Sequence, residues 1–288
     1  MKWICENSCV PEVRHLGIAI SFAFSFFILR FFLNAFVYEK LAIHFLSNGI
    51  APLKLDAANQ AKVVKFSESM WKLTYYATVE ICILSMIYQE PWFTDRKQFF
   101  EGWPNQELKF TLILYYMCQC GFYAYSIAAI LKWETRRKDF HIMMSHHVIT
   151  VVLIWMSFIS RFFRIGSIIL ALHDVNDVFM ETAKLSKYTG NEHAASTCFG
   201  FFAISWFLLR LIYFPFWVIR SSSHDAVDVF VLSKGYHSFL YYLLNTMLIT
   251  LLIFHIYWGI LIFFMVSRQL KNRGQVGEDI RSDSDNED

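Results

Sequence analysis

The chain has 288 residues, of which 56% are hydrophobic, 18% aromatic and 17% charged, and its net charge is +2. Soluble domains average about 25% charged residues, so this composition excludes an ordinary water-soluble protein, and the charge indicates neither a nucleic-acid nor an acidic partner. It predicts an all-α polytopic membrane protein whose aromatic side chains meet lipid.

Seven apolar segments follow one another along the chain, and each approaches the length that a bilayer core requires of a helix. We therefore predict about seven transmembrane helices, at approximately residues 15–38, 73–88, 108–131, 142–160, 165–187, 195–219 and 236–266. The first segment is too long for the core of a signal peptide, so we expect it to be retained. Only SRFFR separates the fourth segment from the fifth, so a tight turn must join them.

Lys and Arg are distributed unevenly between the connections, and cytoplasmic loops carry the excess of these residues. The connections on one side, with the C-terminal tail, hold 15 of them, whereas those on the other side, with the N-terminal arm, hold 8. The N terminus is therefore predicted to be lumenal and the C terminus cytosolic.

The last residues, 276–288, are acidic and almost free of apolar side chains, so they are predicted to be disordered. Ser282 and Ser284 each precede an acidic residue by three positions, which suits phosphorylation by an acid-directed kinase; a merely solubilising tail is the alternative. A local disulfide between Cys5 and Cys9 in the N-terminal arm stays open, while cysteines inside apolar runs are expected to be reduced.

The segment LHDVNDVFMETAKLSKY, at 172–188, places ionisable side chains inside the fifth predicted span. At about 100° per residue, one face of a helix collects six of them, here called the acidic stripe: His173, Asp174, Asp177, Glu181, Lys184 and Tyr188. Each acid near a helix centre opposes insertion by about 2.5 to 3.5 kcal/mol. Such clusters mark function by default; pairing of Lys184 with Glu181 or Asp177 as interhelical glue is the structural alternative.

Two adjacent histidines, His146 and His147, open the fourth span within MMSHHVIT. On a helix Thr150 and Ser157 share a face with His146, whereas His147 points about 100° away. We therefore predict that His146, Thr150 and Ser157 face a cavity shared with the acidic stripe, and that His147 has a supporting role. Histidines that merely complete hydrogen bonds in a core are the alternative.

The spacing of His141, His146 and His147 also resembles the histidine boxes of membrane di-iron enzymes. Such centres need several boxes, and the remaining histidines are scattered singly along this chain. We therefore predict no metal and no cofactor.

SHHVIT, followed by LHDVNDVFMETAKLSKY with 27 positions from His146 to His173, resembles the Lag motif of ceramide synthases. Other segments, including QEPWF, GWPNQELK and WETRRKDF, are similar to plant longevity-assurance-type members. The resemblance implies a seven-helix enzyme of the endoplasmic reticulum in which six helices, the TRAM, Lag1 and CLN8-like (TLC) domain, enclose a cavity reached from the cytosol. It divides the chain into a lumenal arm, first helix and cytosolic linker at 1–64, a catalytic TLC domain at 65–275 and the tail.

The same resemblance implies that a fatty acyl-CoA and a sphingoid base, sphinganine or phytosphingosine, are the substrates, and that two chains form a homodimer in the lipid bilayer. Because imidazole attacks thioesters, we predict that His146 carries the acyl group beside His147. We expect Asp177 to orient or charge this pair, and Asp174 with His173 to handle the amine proton. Direct transfer with His146 as general base, and a non-catalytic TLC lipid transporter or sensor, are the alternatives.

Three basic residues precede the histidine helix on its predicted cytosolic side, namely Arg136, Arg137 and Lys138. They are candidates for binding the phosphates of coenzyme A, although the positive-inside bias explains them equally well. Three further members of the acidic stripe are expected to line the substrate cavity: Glu181, Lys184 and Tyr188.

Overall fold

The computed structural model describes residues 11–47, 56–227, 237–272 and 277, and these ranges contain helices and connections without a strand. The all-α prediction is therefore confirmed. The helices are α1 (Leu16–Leu33), α2 (Glu39–Leu46), α3 (Ala57–Ile87), α4 (Phe110–Lys132), α5 (Phe140–Ile159), α6 (Phe163–Tyr188), α7 (Glu192–Ser205) and α8 (His237–Lys271).

Some stretches of the helical chain have the wider turns of a π-helix. One, Asn34–Tyr38, joins α1 to α2, and two more, Trp206–Ile219 and Ser221–Asp225, continue α7. Pro215 lies inside the longest stretch and has no backbone N–H to donate, so it cannot support a regular helical ladder there. π-helical turns often accompany functional sites, and this one carries side chains into the bundle.

Within the described residues, five helical stretches are long and apolar enough to span a membrane: Val13–Leu46, Phe110–Lys132, Phe140–Ile159, Glu192–Asp225 and Phe239–Lys271. A multi-pass membrane protein is thus confirmed. The described helices α3 and α6 have 31 and 26 residues, but they do not meet the same criterion. They pack against each other, and their charged side chains lower their apolar character. The count of seven spans therefore stays a prediction.

The helix that corresponds to the second predicted segment is much longer than the sequence pattern indicated. It begins at Ala57, where the carboxylate of Asp56 accepts a hydrogen bond of 2.8 Å from the backbone N–H of Asn59. A capping aspartate of this kind starts a helix whatever the polarity of the turns that follow. The apolar pattern from residue 73 marked only the second half of α3, and part of the predicted cytosolic linker is helical.

Helix α1 packs along α4 through a close contact at a glycine. A Cβ atom at Gly121 would lie 2.6 Å from the carbonyl oxygen of Ala19 and 2.7 Å from the Cβ of Phe22. Only the absence of a side chain permits this approach, which is the usual role of small residues between membrane helices. The first helix is therefore fitted to the bundle.

The turn between α5 and α6 is as tight as the sequence predicts. α5 ends at Ile159 and α6 begins at Phe163, with Arg161 in the left-handed region at φ 62°. The connection before α4 holds this turn, because the indole N–H of Trp103 donates to the carbonyl of Ser160 over 2.9 Å. The N-terminal end of α6 is thereby fixed.

Four cysteines in the described ranges are free, namely Cys82, Cys118, Cys120 and Cys198. The proposed disulfide partners, Cys5 and Cys9, and the proposed phosphorylation sites, Ser282 and Ser284, lie outside the described residues.

Candidate active site

Helices α5 and α6 bring the two predicted histidine groups together. The rings of His146 and His173 are both buried, and their centroids lie 6.4 Å apart with an inclination of 25°. One turn further along α5, the hydroxyl of Thr150 donates a 2.8 Å hydrogen bond to the carbonyl of His146. His146 therefore faces the acidic stripe across the contact between the two helices.

His147 points elsewhere, as the helical spacing indicates. Its Nδ1 lies 2.8 Å from the carbonyl oxygen of Met143, and its ring meets Tyr123 at a centroid distance of 5.6 Å. Because a carbonyl oxygen only accepts, Nδ1 must carry a proton, which leaves the Nε2 lone pair of the neutral ring free of hydrogen. His147 is thus held in one tautomer beside His146.

A third imidazole, that of His255 in α8, meets His173, and the sequence had left it as one of several isolated histidines. The Nε2 atoms of His173 and His255 are 3.0 Å apart, and His173 Nδ1 lies 2.6 Å from the carbonyl oxygen of Ile169. His173 Nδ1 must donate to that carbonyl, so in a neutral His173 ring Nε2 accepts the N–H of His255. Both ring nitrogens of His173 are then engaged, so this ring takes up the amine proton only if its bond to His255 opens.

The two aspartates of the acidic stripe have different partners. Asp174 is fully buried and accepts a hydrogen bond from the side-chain amide of Gln119 in α4. The oxygen of that amide accepts in turn from the Tyr75 hydroxyl over 2.9 Å. Asp177 instead lies 3.6 Å from a guanidinium nitrogen of Arg210. The hydrogen bonds of Asp174 therefore lead to uncharged side chains of α3 and α4, whereas Asp177 meets a cation.

Arg210 reaches this centre from the π-helical stretch after α7. Its guanidinium donates to the carbonyl of His173 over 3.0 Å and stacks on the ring of Trp206 at 4.4 Å. Only 3% of this residue is exposed, and a buried cation needs a counter-charge, which Asp177 supplies. The sequence contains Arg210 as an intramembrane charge, but only the fold shows which acid it meets.

Three members of the acidic stripe lie beyond His173, in the C-terminal half of α6. Glu181 pairs with Lys184 over 2.8 Å, and Tyr188 packs against the small apolar cluster around Phe66. A contact between Lys184 and Glu181 is also what a purely structural role of the acidic stripe predicts. None of the three lines the cavity described next, because that cavity adjoins the N-terminal half of α6. Their role in binding substrate stays a prediction.

An apolar cavity of about 800 Å³, its open mouth included, begins at His173 and extends between α5, α6 and α8. The helical spacing directed His146, Thr150 and Ser157 towards a cavity; Thr150 and Ser157 line this one, whereas His146 is not among its lining residues and lies beside His173. Its remaining walls are mostly aliphatic and aromatic, and its far end reaches Phe100 and Ser222. Ligand sites in proteins are mostly apolar with a few polar groups, so the lining of this cavity suits a hydrocarbon chain.

The model of the TLC domain matches residues 65–263. Over 278 residues the chain is 59% identical to ceramide synthase LOH2 of Arabidopsis thaliana, covering 96% of this chain and 94% of that protein. The chain belongs to the ceramide synthases of the TLC-domain family. Ceramide synthase LOH1 of the same plant is 45% identical over 98% of this chain and 95% of its own. Human ceramide synthase 5 is 34% identical over 77% of this chain, which corresponds to 55% of the human protein. The resemblance to plant-type ceramide synthases is therefore confirmed.

In this ceramide synthase homologue the connection between α4 and α5 is held by a carboxylate that is only 10% exposed. Glu134 lies 2.7 Å from the Lys72 ammonium and 3.5 Å from the Arg30 guanidinium. Burial disfavours the charge of Glu134, but attraction to Lys72 and Arg30 outweighs it and lowers the pKa of Glu134 to about 2. The first helix, which precedes the matched TLC residues, is thereby joined to the segment that leads into the histidine helix.

The three basic residues of that connection are differently exposed. The guanidinium of Arg136 stacks over the Phe140 ring at 4.5 Å, and both Arg136 and Lys138 are exposed, while Arg137 is half-buried. All three lie immediately before α5. Their binding of coenzyme A phosphates stays a prediction.

The histidine spacing that resembled a di-iron box does not assemble a metal centre in the described ranges. His141 is exposed at the start of α5, whereas His146 and His147 are buried. Within those ranges no three His, Cys, Asp or Glu side chains come together in a way that would hold a metal ion.

Proposed function

We propose that this protein is a ceramide synthase that transfers the acyl group of a fatty acyl-CoA to the amine of sphinganine or phytosphingosine. The observation that carries the proposal is the apolar cavity that ends at the buried imidazole of His173, with the ring of His146 beside it. A hydrocarbon chain in that cavity would bring its thioester to these rings. Membership of the ceramide synthase family supports the same reaction.

In the proposed reaction the His146 imidazole attacks the thioester carbonyl, a carbon–nitrogen bond forms, the carbon–sulfur bond breaks, and the coenzyme A thiolate leaves. The sphingoid amine then attacks the acyl carbon, and the bond from that carbon to His146 breaks. The substrate ammonium gives up two protons in forming the amide. One ends on the thiolate and the other leaves to solvent.

The neighbours of His146 support distinct roles in this scheme. His147, fixed through Met143, stands beside the nucleophile, and Arg210, paired with Asp177, donates to the carbonyl of His173. His173 is hydrogen-bonded to His255. We therefore propose that this pair orients the acyl group and does not act as the general base. Direct displacement with His146 as general base uses the same residues and differs in forming no acyl-enzyme.

We also propose that the protein lies in the endoplasmic-reticulum membrane, with a lumenal N terminus and a cytosolic C terminus, as a homodimer. The uneven distribution of Lys and Arg supports this orientation, because 15 lie on one side and 8 on the other. In sealed microsomes, added protease should remove a C-terminal tag and spare an N-terminal one. The opposite protection pattern would contradict the orientation.

The decisive experiment uses full-length protein purified in detergent with sphinganine and a series of acyl-CoAs. Mass spectrometry should detect ceramide and free coenzyme A in equal amounts. His146→Ala serves as the negative control, since it removes the proposed acyl carrier. If the wild-type protein binds lipid but forms no ceramide with any chain length, the lipid-carrier alternative is correct.

A further inference from the structure

The far end of the cavity is bridged by hydrogen bonds between two membrane elements. The hydroxyl of Ser222 donates to the side-chain oxygen of Asn245 in α8 over 2.8 Å. The Asn245 amide donates back to the carbonyl of Ser222 over 3.2 Å and to that of Tyr241 over 3.0 Å. All three residues line the cavity. The π-helical stretch Ser221–Asp225 is therefore fixed to α8 at this point.

This bridge lies far from the imidazoles. Asn245 precedes His255 by ten residues on α8, which corresponds to a rise of about 15 Å along a helix. His255 touches His173 at the near end of the cavity. A chain whose carbonyl lies at His146 would therefore direct its methyl end towards Asn245.

The bridge is also a firm obstacle to a hydrocarbon. Both donors and the oxygen of the Asn245 side chain are engaged, so a hydrocarbon that displaced this side chain would break its bonds to Ser222 and offer none in return. Before the bridge, Leu248 and Leu251 offer the chain an apolar wall. Added methylenes therefore gain apolar contact before Asn245 and meet bonded polar groups at Asn245.

We propose that the Ser222 and Asn245 bridge selects the length of the acyl chain by stopping its methyl end. This inference rests on the proposed function, since it presumes that the cavity holds the acyl group. Chains that end before the bridge gain apolar contact with each added methylene. Chains that extend beyond it must displace the bridge.

The chain offers a matched control for this bridge. Asn176 of α6 accepts a 2.9 Å hydrogen bond from the hydroxyl of Ser205, the last residue of α7. This is also a serine and asparagine pair between two membrane elements, but neither residue lines the cavity. Ser205→Ala therefore removes the same chemistry without changing the walls of the cavity.

The test offers an equimolar mixture of acyl-CoAs of graded length to full-length enzyme in detergent, with sphinganine, and measures the ceramides by mass spectrometry. Product ratios then report ratios of kcat/KM. Asn245→Ala should raise the product of a chain two carbons longer than the wild-type optimum about 16-fold relative to that optimum, since each newly buried methylene is worth about fourfold. Ser222→Ala should shift the distribution in the same direction, and Ser205→Ala should leave it unchanged.

Leu248→Phe gives the opposite test, because a larger side chain before the bridge should shift the optimum to shorter chains. If Asn245→Ala does not fold, Ser222→Ala gives the same test of the bridge, because it removes the hydroxyl that bonds Asn245. An unchanged distribution in a folded, active Asn245→Ala enzyme, or an equal shift in Ser205→Ala, would overturn the inference while the proposed function stands. Absence of ceramide from the wild-type enzyme at every chain length would instead refute the proposed function.

Discussion

The ion pair of Glu134 leads to a quantitative prediction about stability. Its pKa is lowered from 4.5 to about 2, and only 10% of its side chain is exposed, so solvent screens it little. A shift of this size corresponds to about 3 kcal/mol of folding free energy. Because the folded pKa lies below the unfolded one, this contribution is complete above pH 4.5 and is lost as the pH falls towards 2.

Glu134→Gln keeps the shape of the side chain and removes its charge. At pH 7 we expect the free energy of unfolding to fall by about 3 kcal/mol, which lowers the melting temperature by about 6 to 12 °C. At pH 3 the difference from wild type should shrink, since the wild-type carboxylate has by then lost much of its advantage. Thermal unfolding of detergent-purified protein, followed by intrinsic tryptophan fluorescence at both pH values, measures both effects.

Glu90→Gln is the control, because Glu90 lies at the same 2.7 Å from Lys109, but the Lys109 side chain is 63% exposed. Exposed ion pairs contribute about 0 to 1 kcal/mol, so this substitution should change the melting temperature little. The reasoning is refuted if Glu134→Gln melts with the wild type at pH 7, or if the two substitutions destabilise equally.

The remaining predictions concern the site. His146→Ala should abolish ceramide formation and any labelled acyl-enzyme trapped by rapid quench. His147→Ala should lower turnover by about 10²-fold or more. Near-normal activity in His146→Ala would show that another residue is the nucleophile. Asp177→Asn should stop turnover in protein that still folds, and retained activity with a lower melting temperature would leave it a structural role only. His255→Leu removes the hydrogen bond to His173 and should lower kcat, whereas His255→Gln keeps an N–H donor and should restore part of it; equal loss in both variants would show that the donated bond is not the cause.

The helical spacing of the sequence was sufficient to assign faces within one helix. It separated His146 from His147 by about 100°, and the structure shows the two rings with different neighbours, Trp258 for the first and Tyr123 for the second. The same spacing grouped Asp174 with Asp177. Their partners differ because different helices pack against the two edges of the acidic stripe. The helical spacing does not show which helices these are.

The boundaries of α3 show a second limit of the sequence. Apolar periodicity predicts the part of a helix that lies at the depth of lipid, but the helix itself begins where Asp56 caps it. The apolar pattern therefore underestimates a helix whose first turns are polar, and it treats as a linker what is a continuous element.

The sequence by itself determined that the protein lies in lipid, that it is all-helical and which family it resembles. Composition, the lengths of apolar runs and the Lag-type motif are all properties of the linear sequence. Tertiary structure decided which distant residues meet. His255 lies 82 positions from His173, and Asn245 lies 23 from Ser222, yet each pair is bonded. Such contacts depend on how helices cross and rotate against one another. Those angles arise from the packing of many side chains together, so no local pattern encodes them.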